Sequence, residues 1–255
     1  MVRPCCWRHA WIRDDCWSAS DTLLRAIGGD VESESKRTQI MKVNRGRFIL
    51  LTLLIAHWVV PQAVSADQPE RETATFGGGC YWCVEAVFQR IEGVSNVRPG
   101  FMGGRTKNPT YQQVLTGRTG HVEVIQFEYD PDVVSYDTLL QVFWRTHDPT
   151  TKNRQGPDFG PQYRSVVFAH TDQQREVASE YKRLLNRQQA FKSPIVTTIE
   201  RSATFYPTDA DHQNFFNRNR DNPYCESYIV PKLKKLQTLF PSQLKQGAGT
   251  SEKVE

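Results

Sequence analysis

Apolar positions recur along the chain with two spacings. Val84, Val87, Phe88 and Ile91 lie at i, i+3, i+4 and i+7, the spacing of one buried helix face, and Gly77-Gly78-Gly79 ahead of them puts Cys80 at or just before the helix N-terminus. From Val122 to Tyr129 the run VEVIQFEY alternates with period two, predicting a strand in which Glu123 shares a side with Ile125, Phe127 and Tyr129. Ser135 reads as the N-cap of a helix whose face is Tyr136, Leu139, Leu140 and Phe143, ending before Asp148-Pro149. Ser165 to Ala169 predicts an apolar strand. Thr171 with Gln174 forms a capping-box signature ahead of Val177, Ala178, Tyr181, Leu184 and Leu185. Ile195 to Ile199 is β-branched and strand-like, His212, Phe215 and Phe216 suit a short helix, and Pro231 stands where a first-turn proline starts a last helix through Leu233, Leu236 and Leu239. Residues 100–111 and 150–162, interrupted by Gly103, Gly104, Pro109, Gly156, Pro157, Gly160 and Pro161, read as loops. With no internal repeat and no dividing linker, the expectation is one α+β domain over residues 67–244, a mixed sheet with packed helices, followed by a disordered tail over 245–255.

The segment 41–66 has a different pattern. Lys42, Arg45 and Arg47 precede an apolar stretch from Phe48 to Val60, and Val64-Ser65-Ala66 supplies small residues, which is the layout of a secretory signal cleaved ahead of Asp67. An apolar run this short falls below the roughly 20 residues that span a bilayer. The expectation is export to the periplasm or outside the cell. Residues 1–40 would bury that signal inside the chain, so they are expected to reflect a start assigned too early.

Setting this region aside changes the charge and cysteine arithmetic. The net charge is +4, but nine basic and six acidic side chains lie in the first 66 residues, leaving 23 against 22 afterwards. No concentrated basic face for nucleic acid is evident in the body. Cys5, Cys6 and Cys16 also fall away, so Cys80, Cys83 and Cys225 remain, an odd number. In an oxidising compartment that suggests a pair that forms and breaks in a reaction.

A thiol at a helix N-terminus faces free amides and the positive dipole end, which favour thiolate, so Cys80 is the candidate nucleophile with a lowered pKa. Cys83 lies one turn away, within reach of a disulfide after local adjustment. Glu123, if it faces the apolar side, keeps its proton near neutral pH and can serve as an acid; an edge-strand glutamate leaning into solvent fits the periodicity equally well.

Five separated motifs then carry a family resemblance: Gly79-Cys80-Tyr81-Trp82-Cys83 with Glu85; Asn108-Pro109-Thr110-Tyr111; Thr119-Gly120-His121-Val122-Glu123; Gln141-Val142-Phe143-Trp144 with His147-Asp148-Pro149; and Gln162-Tyr163-Arg164-Ser165. In order and spacing, across about residues 73–240, they resemble the A-type peptide methionine sulfoxide reductases. The resemblance implies a ferredoxin-like core and reduction of the S epimer of methionine sulfoxide, free or in proteins. Cys80 would attack the sulfoxide sulfur and Glu123 would protonate its oxygen. Tyr111 and Tyr163 would hydrogen-bond that oxygen, Tyr81 and Trp82 would receive the methyl group, and Asp158 would be an acid of the same pocket. Cys80 would become a sulfenic acid, resolved by Cys83 or by Cys225, either acting first. Thioredoxin or a similar dithiol would regenerate the thiols, with no bound cofactor or metal, and the chain is expected to be a monomer. Pro157 and Pro161 flank Asp158 and Phe159 where the family usually has Asn and Thr; they fix backbone angles and remove two amide donors, which bears on how Asp158 is held.

Two other classes fit parts of the chain. One is a thioredoxin-type dithiol oxidoreductase, suggested by CxxC at a helix start, although no strand–CxxC–helix unit with a following βαβ pattern is evident in the sequence. The other is a zinc-binding module using Cys80, Cys83, Cys225 and His212, although the second half lacks a paired ligand spacing.

Overall fold

Residues 70–247 are described by the computed structural model; segments 1–40 and 41–66, with the expected early start and export signal, and residues 248–255 of the tail lie outside it. In chain order the strands are β1 (Glu72–Gly78), β2 (Val94–Met102), β3 (Val122–Tyr129), β4 (Arg154–Gln155), β5 (Asp158–Phe159), β6 (Ser165–Ala169), β7 (Thr198–Arg201) and β8 (Tyr206–Pro207). The helices are α1 (Tyr81–Phe88), α2 (Tyr111–Leu115), α3 (Tyr136–Thr146), α4 (Asp172–Arg187), α5 (Phe215–Arg218) and α6 (Val230–Leu239).

Six strands form one sheet in the order β7-β6-β1-β3-β2-β8. The inner four are antiparallel and follow the chain order β1-α1-β2-β3-α3-β6, the split βαβ arrangement of a ferredoxin-like core, while β7 joins β6 in parallel and makes the sheet mixed. Period two sorts the side chains. Phe76, Ile125, Phe127 and Tyr129 face the main core with Val87 and Phe88 of α1, Leu140 and Phe143 of α3 and Leu233 and Leu236 of α6. Val122 and Val124 face the opposite side with Met102, Val166 and Phe168. Glu123 therefore takes the main-core side, and it is 1% exposed.

Several elements differ from expectation for local reasons. β2 shows no alternation in the sequence because Asn96, Arg98, Pro99 and Gly100 interrupt it. Its register to β3 shifts between Ser95 and Arg98, with Asn96 at φ 50, and Gly100–Met102 belongs to this strand rather than to the loop. β1, ending two residues before Cys80, does give a strand–CxxC–helix unit; it continues with β3, not β2, beside β1. The seventh strand begins at Thr198, where pairing with Val166 starts, rather than at Ile195. Thr171 Oγ1 accepts from Gln174 N as a cap should, but Gln174 Oε1 accepts from His170 N, so the box is only half closed. Residues 150–162 hold the β4–β5 hairpin, and Lys245 is fastened rather than disordered: its backbone N–H donates to Arg90 O at 2.9 Å. Ser135 caps α3 at Thr138 N, and Pro231 lies in the first turn of α6, both as expected.

Candidate active site

The triple glycine fits two backbone demands. A Cβ on Gly77 would sit 2.9 Å from Glu123 O and 2.8 Å from Val166 Cγ1, so β1 can lie this close to β3 only without a side chain there. Gly79 has φ 94 and a Cβ would meet Gln155 at 2.5 Å, so this turn needs glycine as well. The chain then turns into α1 with Cys80 at its N-cap position, and Tyr81 N donates to Glu123 Oε2 at 3.1 Å. That bond joins the residue after the candidate nucleophile to the candidate acid.

Burial, opposed by the Tyr81 amide and helped by the charges of Asp158 and Cys83, pushes the Glu123 carboxyl up to about 8. Glu123 thus holds its proton at neutral pH, which the alternation left open. Cys80 differs from expectation. Burial first, then its contact with Cys83 and the charges of Cys83, Glu123 and Asp158, hold the Cys80 thiol well above its ordinary value, so desolvation outweighs the helix terminus. Cys83 moves the other way: the hydrogen bond with Cys80, then Lys232 and the Tyr224 hydroxyl, draw it down against burial. All three cysteines in the described residues are free and buried. Cys225 opens a π-turn (Cys225–Ile229), and burial with the nearby Cys83 charge pushes its thiol up to about 11.

Loop anchors bring the other candidates in. His121 accepts from Gly104 N at 3.1 Å through Nδ1 and is 2.8 Å from Thr106 O through Nε2, tying residues 103–110 to the start of β3. Thr110 then caps α2 with a reciprocal bond to Gln113 and sets Tyr111 at its first position, half-buried. Burial and then Glu123 push the Tyr111 hydroxyl up to about 12, and burial followed by Glu123, Tyr111, Asp158 and Cys80 raises Tyr163, so both phenols belong to the same cluster. Gln155 Nε2 donates to Asp148 O and its Oε1 accepts from Asp148 N, which pins the hairpin carrying Asp158. Pro161 occupies the first turn of a 3-10 turn (Pro161–Tyr163), where an amide is not required, and Asp158 accepts from the Tyr224 hydroxyl at 2.7 Å. Pro157 lies in the turn between the paired residues Gln155 and Asp158 of the hairpin.

Aromatic side chains form one wall. Trp82 stacks on Phe215 with ring centroids 3.6 Å apart, His212 lies 5.5 Å from Trp82 in a near-parallel stack, and Tyr111 lies 4.3 Å from His212. Tyr81 is buried beneath, its hydroxyl 3.1 Å from His212 Nδ1 and 3.4 Å from Thr208 Oγ1. Sequence reasoning missed Phe215, Thr208 and Tyr224 as site residues; Tyr224, whose hydroxyl is 3.7 Å from Cys83 Sγ, stood next to Cys225 in a motif read only for its thiol. His147, from the fourth motif, is structural: its Nδ1 is 2.6 Å from Phe143 O, its Nε2 2.7 Å from Ser165 Oγ, and burial pushes it down to about 3. The zinc set is not assembled. Among the described residues no three His, Cys, Asp or Glu side chains are grouped to hold a metal, and no helix is long and apolar enough to cross a membrane.

Comparisons with known proteins find likeness to one family. A family model described as peptide methionine sulfoxide reductase matches residues 72–244. The peptide methionine sulfoxide reductase MsrA of Natronomonas pharaonis is 48% identical over 172 residues, covering 68% of this chain and 97% of the relative. One from Rhodopirellula baltica is 46% identical over 182 residues, covering 71% and 93%. Among solved structures, methionine sulfoxide reductase A of Corynebacterium diphtheriae has a TM-score of 0.54 at 36% identity, covering 60% of this chain and 77% of that one. Reduced Mxr1 from Saccharomyces cerevisiae has a TM-score of 0.56 at 30% identity, covering 66% and 96%.

Proposed function

The chain belongs to the peptide methionine sulfoxide reductase family, and on that premise we propose that Cys80 and Glu123 carry out thiol-dependent reduction of the S epimer of methionine sulfoxide. The observation that carries this reading is a protonated, buried carboxyl hydrogen-bonded to the amide that follows a buried thiol. Cys80 Sγ attacks the sulfoxide sulfur while Glu123 gives its proton to the oxygen. A bond forms between Cys80 Sγ and the methionine sulfur. The protonated oxygen then moves to Sγ as that bond and the original sulfur–oxygen bond break, methionine leaves, and Cys80 keeps the oxygen as the sulfenic acid. Glu123, left as a carboxylate, regains a proton from solvent, which had taken that of the thiol. Tyr111 and Tyr163 donate to the oxygen, Asp158 completes the polar side, and Tyr81 and Trp82 with the wall receive the methyl group.

Cys83 is the first resolving thiol. It touches Cys80, and its proton is drawn away by Lys232 and Tyr224. Its sulfur bonds to Cys80 as the sulfenic oxygen leaves with the Cys83 proton as water. Cys225, buried and high in pKa, takes over the disulfide second, and thioredoxin or a similar dithiol reduces it; no bound cofactor takes part. With dithiothreitol as reductant, the S epimer is expected to turn over and the R epimer is not; equal turnover of both, or of neither by folded protein, contradicts the reading.

The pattern over 41–66 supports export to the periplasm or outside the cell, and with no large apolar repeat to suggest an interface the chain is read as a monomer. N-terminal sequencing and sizing of the protein recovered from its source should find a chain beginning near Asp67 and of monomer mass. A product that keeps residues 41–66 in the cytosol, or that runs as a dimer, contradicts this.

A further inference from the structure

Glu85 lies one turn beyond Trp82 on α1, is 1% exposed, and plays no part in the chemistry above. Its partners are distant in sequence. Oε1 accepts from Asn214 N at 2.6 Å and Oε2 from Phe215 N at 3.2 Å. These amides open α5, a four-residue helix whose N-cap, Asn214, is left-handed at φ 53 and makes no capping bond with its own side chain. Such orphan amides ordinarily need a local Ser, Thr, Asp or Asn; here a carboxylate from another helix supplies the acceptor.

The consequence falls on the wall. Phe215, fixed through its own amide, is the ring that lies flat on Trp82 at 3.6 Å, and His212, just before it, stacks near-parallel to the indole at 5.5 Å. Arg218 holds the same segment from its other side by donating to Ala210 O and Asp211 O. We infer that Glu85 is a positioning residue for substrate recognition: by capping Asn214 and Phe215 it keeps Phe215 flat on Trp82 and so fixes the indole that receives the methyl group of the sulfoxide. This rests on the substrate reading given above.

The tie is also sensitive to protonation. Burial pushes Glu85 up to about 7 against the two amides and the Arg218 charge. Other charged groups about the segment are His212, which burial lowers, with Asp209 and Asp211 raising it, and Arg90 and Arg220, whose guanidinium groups lie 5.0 and 5.8 Å from the centre of the Phe216 ring. A protonated carboxyl keeps one acceptor and turns a donor toward the second amide, so the wall loosens as pH falls through 7.

The test measures binding of N-acetyl methionine S-sulfoxide by calorimetry to the full chain carrying Cys80→Ser, with and without Glu85→Gln, from pH 8.5 to 6. Hydrogen exchange of residues 213–216 is followed in the same proteins without ligand. Loss of a charge-assisted cap predicts that Glu85→Gln weakens binding by about tenfold at pH 8 and shows no further weakening as pH falls through 7, while the parent weakens with a midpoint at about 7. Exchange at 213–216 rises in the Gln protein while strand 122–129 stays protected. Unchanged binding, or unchanged exchange at 213–216, overturns the inference. If Glu85→Gln does not fold, the parent alone decides, and affinity that stays flat between pH 8 and 6 overturns it. Faster exchange at 213–216 in a protein whose parent binds no sulfoxide upholds the tie to the wall and contradicts the substrate reading instead.

Discussion

Replacing Cys80 by serine is expected to lower sulfoxide reduction on the order of 10⁴-fold or more, read as methionine released from the S epimer in dithiothreitol. A hydroxyl is a harder and much weaker nucleophile than a thiol, and it has no sulfenic state in which to keep the oxygen. Neither of the other two cysteines among the described residues replaces it. Cys83 is a turn further along α1 and faces the Tyr224 hydroxyl, while Cys225 is buried at the start of the π-turn with its thiol pushed up to about 11. Because Cys80 sits at the N-cap position without a side-chain capping bond, serine there should leave the fold intact. Near-parental turnover by Cys80→Ser would mean that another thiol takes the oxygen.

The second large effect belongs to Glu123. Glu123→Gln keeps an acceptor for Tyr81 N but has no proton to give, and the loss of a general acid lowers kcat/KM at pH 7 by about 10²–10⁴. The pH profile is more specific. At neutral pH Glu123 and Cys80 hold two protons between them, and the reacting state holds one: thiolate beside protonated carboxyl. Because burial raises Cys80 and Glu123 releases its proton at about 8, kcat/KM should climb with pH up to about 8 and then level off. In Glu123→Gln the climb continues past 8, until the Cys80 thiol itself titrates. Stability follows the same burial. The folded chain keeps a proton that the unfolded chain releases near 4.5, so stability falls as pH rises from 4.5 to about 8. Glu123→Gln should therefore melt higher than the parent at pH 9. A break near 8 that persists in Glu123→Gln would assign it to another group.

Much of this site could be read from local pattern. The alternation of VEVIQFEY placed Glu123 with Ile125 and Phe127, and the structure buries all three. Gly77-Gly78-Gly79 marked the turn into Cys80, and the motifs around Tyr111 and Tyr163 led to residues that share the cluster. Other features depend on distant segments meeting. Glu85 and its amide partner Asn214 are 129 residues apart, and the hydroxyl of Tyr224 reaches Asp158 across 66. No window of sequence holds both partners. Strand β2 was hidden because a bulge at Asn96 and the Pro99-Gly100 pair break its period, yet it pairs with β3 over most of its length. The direction of the Cys80 shift also eluded the sequence, since a helix terminus is visible in the residues and the depth of burial is not.

In reduction by this chain the oxygen passes from methionine sulfoxide to Cys80. The most direct measurement is one turnover of the reduced full chain with excess S-sulfoxide and no reductant, with methionine counted and the cysteines mapped by peptide mass. At least one methionine per chain is expected and, at the earliest times, a disulfide between Cys80 and Cys83. Methionine formed while Cys80 remains a free, unoxidised thiol would contradict it.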